Sequence, residues 1–406
     1  MSFRNSAIWT ILCNLFVSVI NILGIKILSQ LYSMDLYGQE LYLYSNSIII
    51  GSILGLGMGQ IINQSQSSND KYKDTIYKVI LKTVGIFFVI SYIFSFQYFD
   101  IILKYIGVSF KQFNVAVLIL ILYTFDNLNR SFLIGRKLIK QVSLSLLVFT
   151  FMGWLFICLM YLFGIENFYL YGMLFIAVSN LIFTSYLVNS SLLSIEVFDT
   201  QKYKFLFFGK VLPALTSQFL GSIPQIVIST QLIVFYSPQS VAIYIVSMYI
   251  FRAMLFVPSG VQRVMLPYLG EVNNEKKINI IIKNMILNLV ISLPFIFIIF
   301  FADEKISALF GFDYSSARNI FLYTVIAGGI ASFVAPIGQL IISLDKYYIS
   351  FLMNFFWSII YIYISYFFMS NGFHIEFIML SLFVSYFIHA AFGVLLLIKV
   401  RNETSH

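Results

Sequence analysis

Apolar runs of about twenty residues, the length a helix needs to cross the hydrocarbon core of a bilayer, recur from one end of this chain to the other. They occupy 7–31, 40–62, 79–99, 113–134, 142–163, 168–188, 207–235, 240–262, 282–302, 317–343, 348–368 and 375–398. In lipid every backbone N–H and C=O must be satisfied inside the spanning segment, so runs of this length predict helices. A barrel would need shorter strands of alternating polarity, and these runs do not alternate. Charged residues make up 10% of the 406, against roughly 25% in a soluble domain. The expectation is an all-α integral membrane protein of about twelve transmembrane helices, with connectors too short to form a soluble domain. The first run is too long for a secretory signal and no small-residue cleavage site follows it, so it reads as a retained helix.

Lysine and arginine set the orientation. With the amino terminus inside, the inner segments carry 19 of the 25 basic residues, among them Lys71, Lys73, Arg136, Lys137, Lys202, Lys204, Lys276 and Lys277. The outer side holds Lys26, Lys104, Lys111, Lys305 and Arg318, and Arg252 lies within a run. Both termini are then cytoplasmic and the number of spans is even. The net charge of +8 is mostly connector charge and needs no nucleic acid to explain it. Cys13, Cys158, His374, His389 and His406 are scattered, which predicts neither a disulfide framework nor a metal cluster.

Two landmarks repeat. Leu31-Tyr32-Ser33-Met34-Asp35 closes the first run and Phe235-Tyr236-Ser237-Pro238-Gln239 closes the seventh, 204 residues later. The stretch from Phe132 to Lys137 corresponds to that from Ile341 to Lys346, 209 residues later. Six helices plus six in one orientation predict parallel repeats about an axis along the membrane normal, an arrangement used by alternating-access transporters. The division expected is an amino-terminal bundle at 1–200 and a carboxy-terminal bundle at 201–406.

From Lys26-Ile27-Leu28-Ser29 through Tyr37-Gly38 the chain resembles the first-to-second-helix region of the multidrug/oligosaccharidyl-lipid/polysaccharide exporter superfamily. The series Phe235-Tyr236-Ser237-Pro238, Ile243-Tyr244, Phe251-Arg252, Val257-Pro258-Ser259 and Val264-Met265-Leu266-Pro267 is similar to the seventh-to-eighth-helix region of its polysaccharide branch. Leu309-Phe310-Gly311, Ala317, Pro336 and Asp345-Lys346 continue the same order, so the resemblance covers nearly the whole chain. It implies a V-shaped transporter of two six-helix bundles around a central cavity. Multidrug members usually carry a carboxylate in the first helix, whereas 7–31 holds no Asp or Glu and does hold Lys26. Peptidoglycan-precursor flippases usually add two helices. The branch expected is therefore that of the O-antigen and capsule repeat-unit flippases.

That branch implies translocation of an undecaprenyl-diphosphate-linked oligosaccharide from the cytoplasmic to the periplasmic leaflet of a bacterial inner membrane. Membrane lipids and the polysaccharide polymerase machinery are the implied partners. No cofactor is implied, and the chain lacks a Gly-rich Lys-Ser/Thr nucleotide loop. An H+ or Na+ gradient, the membrane potential or consumption of the product are the candidate driving forces. The alternative is a cation-coupled multidrug antiporter of the same superfamily. A membrane ligase would need a large outer loop, and the outer connectors are short.

A charge at the bilayer centre costs about 2.5–3.5 kcal/mol on insertion scales, so each one is a site candidate. Arg252, near the middle of the eighth run, suits a diphosphate because guanidinium binds phosphate as a bidentate fork; the structural alternative is a snorkelling or paired side chain. Lys26 either faces the cavity or snorkels to the outer interface. Arg4 is a substrate contact or a positive-inside anchor. Asp126 and Arg130, four apart, share a helix face as a static or a switchable pair. Glu40 and Glu376 begin helices at the outer interface. Gly51, Gly55 and Gly59 form a small-residue stripe for close helix packing or sliding. Pro213, Gly221 and Pro224 cluster in the seventh run as a hinge candidate.

Overall fold

A computed structural model describes residues 3–31, 34–67, 74–89, 109–192, 209, 211–236, 238–270, 272–310 and 319–404. Each of the twelve apolar runs meets a helix there, and no strand occurs among the described residues. The helices are α1 (Phe3–Leu31), α2 (Met34–Ser67), α3 (74–89), α4 (Phe110–Gly135), α5 (Ile139–Leu162), α6 (Phe168–Ser191) and α7 (Leu212–Phe235). There follow α8 (Pro238–Met254), α9 (Phe256–Leu269), α10 (Asn274–Leu309), α11 (Ile320–Ser343), α12 (Tyr347–Ser370) and α13 (Glu376–Thr404). Residues 90–99 of the third run and Lys71, Lys73, Lys104, Lys202, Lys204, Lys210 and Arg318 lie outside the described residues. Among the described residues, eight helices are long and apolar enough to cross a membrane, and α2 as one bent span makes a ninth.

The eighth run departs from expectation by forming two helices. A proline at position 258 has no N–H to give the carbonyl of Met254, so the ladder is interrupted at Leu255, between α8 and α9. The connector expected at 263–281 is mostly helix as well. Here α9 runs on to Leu269, and Asn273 caps α10 by accepting from the Lys276 backbone N–H at 3.0 Å. Polar, capped ends of this kind let a helix outgrow the bilayer: 36 residues of α10 span about 54 Å at 1.5 Å per residue.

The repeat is explicit in the backbone. Helix α4 ends at Gly135 and α11 at Ser343; α5 and α12 begin at Ile139 and Tyr347 and end at Leu162 and Ser370; α6 and α13 begin at Phe168 and Glu376. Every one of these pairs is 208 residues apart, one fewer than the sequence alignment gives. The turns close alike. Lys137 N–H donates to Ile134 O at 2.8 Å and Leu138 N–H to Leu133 O at 2.9 Å; Asp345 and Lys346 do the same to Ile342 and Ile341, both at 3.0 Å. Lys137 and Asp345 take left-handed backbone at φ 62° and 56°, and at the next turn Gly164 and Gly372 do so at 66° and 69°, where glycine carries no steric penalty.

The helices group into two compact units. One is Gln39–Phe219 with Met1; the other is Ser2–Gly38 with Leu220–His406. The grouping differs from a cut at residue 200 chiefly in α1, which packs on α9, where Gly260 lets the backbone approach Ile11 and Asn14. Each unit is organised about one buried helix. In the first, α4 packs against α6, and α5 covers α6. In the second, α11 packs against α8, α9, α10 and α13. These two central helices are repeat mates, 61% and 67% buried across their spans, whereas α10 and α12 are 17% and 22% buried. Their outer faces carry side chains such as Phe301 and Tyr363, as lipid contact requires.

Candidate functional site

Among the described residues of the first unit, buried Arg130 and partly buried Arg136 both have carboxylate partners. Arg130 donates through Nε to Asp126 Oδ2 at 2.6 Å, through Nη1 to Val142 O at 3.0 Å and through Nη2 to Asn180 Oδ1 at 2.6 Å. Asp126 also accepts from Thr184 Oγ1 at 2.9 Å, and Asn129 accepts from Tyr77 Oη at 2.6 Å while donating to Ser185 Oγ at 2.9 Å. The predicted pair is thus tied to α5 and α6 through a network with its charges and donors matched, which is how a buried ion pair is made tolerable. A second pair escaped the sequence reading. Arg136 bonds Asp74 at 2.5 Å, Gln66 at 2.9 Å and the Ser191 carbonyl, with its guanidinium 4.5 Å from the centre of the Phe132 ring.

Arg252, in the second unit, is different. It occupies the last turn of α8, not the middle of a long helix, and is half-buried. Its Nη2 donates to Gln225 Oε1 of α7 at 3.2 Å, and its guanidinium lies 5.6 Å from the centre of the Tyr249 ring. Both partners are neutral, and no carboxylate pairs with it among the described residues. The carboxy-terminal end of a helix favours a cation, which accounts for part of its placement but supplies no counter-charge.

Beside this arginine stands an aromatic wall contributed by three helices. Tyr244 of α8 and Tyr361 of α12 bring their hydroxyls to 3.4 Å. Trp357 lies 5.7 Å from Tyr361 and 5.0 Å from Tyr386 of α13, which lies 5.4 Å from Phe251, all between ring centres. The buried indole N–H of Trp357 and Nδ1 of His389 have no hydrogen-bond partner among the described residues. No sequence signal joined these residues, because those of α8 lie more than a hundred positions from those of α12 and α13 and tyrosine is abundant throughout.

The other predicted residues fall elsewhere. Lys26 is half-buried in α1, between buried Ile25 and Leu28. Arg4 lies in the first turn of α1, with its side chain outside the described residues. Gly51, Gly55 and Gly59 face α4, where a Cβ on Gly55 would stand 2.7 Å from Asn127 Cβ. Pro213 is the second residue of α7, just after π-helical backbone at 209 and 211; Pro224 is inside the helix and buried. Gly221 faces Asn354 with room for a methyl group. Glu40 is buried, 2% exposed.

These features define a class: a multi-pass membrane protein of two repeated helical halves, one of which holds an arginine with no carboxylate partner among the described residues beside an aromatic wall. No protein-family model matches the chain, and no curated protein matches it. Solved structures do match. A MOP superfamily transporter from Pyrococcus furiosus, described as having a binding pocket of reverse polarity that suggests a different function, superposes with a TM-score of 0.79 at 15% identity, over 98% of this chain and 96% of that one. An outward-facing multidrug resistance MATE family transporter of the same superfamily gives 0.77 at 14% identity, over 100% and 97%. A MATE in the bent conformation gives 0.73 at 15%, over 100% and 98%. The chain has the fold of the MATE transporters of the MOP superfamily.

Proposed function

We propose that this protein is an alternating-access transporter and that Arg252 receives the negatively charged group of its substrate. The observation that carries the reading is a contrast among arginines of the membrane helices: among the described residues Arg130 and Arg136 have carboxylate partners, and Arg252 has an amide and an aromatic face. A cation held in a membrane-embedded unit with no carboxylate partner among the described residues is poised for an anion brought from outside. The finer form of the reading makes that anion the diphosphate of an undecaprenyl-linked oligosaccharide, flipped to the outer leaflet of a bacterial inner membrane, with both termini cytoplasmic. A diphosphate leaving water needs fixed cations to offset its desolvation.

A second reading, a cation-coupled multidrug antiporter, fits the structural neighbours better, since those with a stated substrate class are multidrug transporters. Buried Glu40 favours it too, as a carboxylate able to exchange a proton or sodium ion against a cationic drug. The Pyrococcus furiosus neighbour, with its pocket of reverse polarity, supports the view that this fold does not carry one substrate polarity only.

Purified protein in liposomes separates the two. Transport of a fluorescent lipid-diphosphate oligosaccharide, lost in Arg252→Ala, partly kept in Arg252→Lys and unchanged in Glu40→Gln, is the outcome expected. Transport of a cationic dye that depends on Glu40 and is indifferent to Arg252 would establish the antiporter in its place.

A further inference from the structure

Two prolines in the second unit each leave a carbonyl without its helical donor, and in each case a side chain from another helix packed against it supplies one. Pro336 of α11 cannot serve the carbonyl of Ser332, four residues earlier; Asn288 Nδ2 of α10 donates to it at 2.9 Å. Pro258 cannot serve the carbonyl of Met254; Ser332 Oγ lies 3.2 Å from it and 2.7 Å from Gly328 O, so its hydroxyl hydrogen is shared between the two. Asn288 is 1% exposed and Ser332 not at all, so no solvent replaces these donors. Gly328 makes the approach possible: a Cβ there would stand 2.8 Å from Met254 Cβ.

The first unit contains a similar contact, one residue along, without the proline. Thr124, the repeat mate of Ser332 at 208 residues, brings Oγ1 to 3.3 Å from the carbonyl of Gly51 in α2. There Gly55, four residues on, retains its N–H, so the hydroxyl is an addition. In the second unit Pro258 makes the hydroxyl a replacement. Met254 is two residues beyond Arg252, on the same last turn of α8.

We infer that Asn288, Ser332 and the Met254 carbonyl form a latch that fixes the end of α8, that Ser332 is the positioning residue for Arg252, and that Leu255 is the joint released when the latch opens. The role in transport rests on the anion reading of Arg252; the latch itself does not. Pro258→Ala restores the missing N–H, so it makes Ser332 dispensable.

The test is a double-mutant cycle on the full-length protein, read by thermal unfolding in detergent and by amide hydrogen exchange across 251–259. Ser332→Ala alone is expected to lower Tm and speed exchange there, Ser332→Thr to restore both, and Ser332→Ala within Pro258→Ala to change neither. In liposomes, Ser332→Ala raises KM for the lipid diphosphate by about fivefold to tenfold, the factor of one net hydrogen bond, and Pro258→Ala reverses the rise. Equal losses from Ser332→Ala in both backgrounds would overturn the latch. If Ser332→Ala does not fold, Asn288→Leu takes its place: it is expected to speed exchange at 251–259, and unchanged exchange overturns the relay. Unfolding and exchange need no substrate, so a failed lipid assay with an intact cycle would remove the anion reading and leave the latch standing.

Discussion

Arg130 and Arg252 present the same guanidinium from membrane helices, and their surroundings differ. Arg130 has its charge balanced by Asp126 and its other donors taken up by Val142 and Asn180. Removing one member of such a pair leaves the other buried and uncompensated, at a cost of about 3–5 kcal/mol. Asp126→Leu is therefore expected to lower thermal stability steeply, and the Asp126→Leu, Arg130→Met double variant to recover much of it, as read by unfolding in detergent. A double variant as unstable as the single one would contradict the assignment of this pair to stability alone. The pair was readable in the sequence because four residues is one helical turn. Arg136 with Asp74 was not, because 62 positions separate them and nothing local marks the partner. The Ser332–Met254 contact, 78 positions apart, was hidden for the same reason.

Helix by helix, local chemistry explains what the sequence conveyed and what it did not. Apolar length alone announces a spanning helix, so the runs and helices agree. A missing N–H interrupts a helix only when tertiary context permits, so the break at Leu255 was not evident among seven prolines. The glycines divide on the same ground. The stripe Gly51, Gly55 and Gly59 is packed against α4 with no space for a side chain at Gly55. Gly221, beside Pro224, has space: a Cβ would meet only Asn354, at 3.6 Å. Gly55→Ala is expected to destabilise the protein by about 1–3 kcal/mol, the usual range for overpacking. The Gly221→Ala, Pro224→Ala pair is expected to keep Tm and to slow transport, because it straightens and stiffens α7. Unaltered transport by that pair would remove the hinge from α7 and leave the joint at Leu255 as the hinge candidate.

Taken over the whole chain, the two halves share a backbone plan and differ in what they bury. The ion pair of α4 has Val334 and Gly338 as its counterparts in α11, 208 residues on, and Arg252 has Ile48 as its counterpart in α2, 204 residues back. The duplication thus supplies the scaffold, while the charges belong to one half each, which is why the repeat foretold the fold and could not foretell the site. The same plan constrains orientation. Lys277 Nζ donates to the carbonyl of Ser343 at 3.2 Å, so the α9–α10 connector and the α11–α12 turn lie at one end of the second unit. A lysine at a helix carboxy terminus is favourable in its own right, but Lys276 and Lys277 in the first turn of α10 and Lys346 in the α11–α12 turn are also basic residues of the kind that favour the cytoplasmic side. With Cys13 and Cys158 replaced by alanine, Asn371→Cys, on the opposite turn, should react with a membrane-impermeant maleimide in intact cells. Glu275→Cys should react only after the cells are made permeable. The reverse pattern would invert the chain in the membrane, and Arg252 would then have to take its anion from the opposite leaflet. Labelling at both positions in intact cells would mean that the two connectors do not lie on opposite sides of a closed bilayer, and the even number of spans would fall with it.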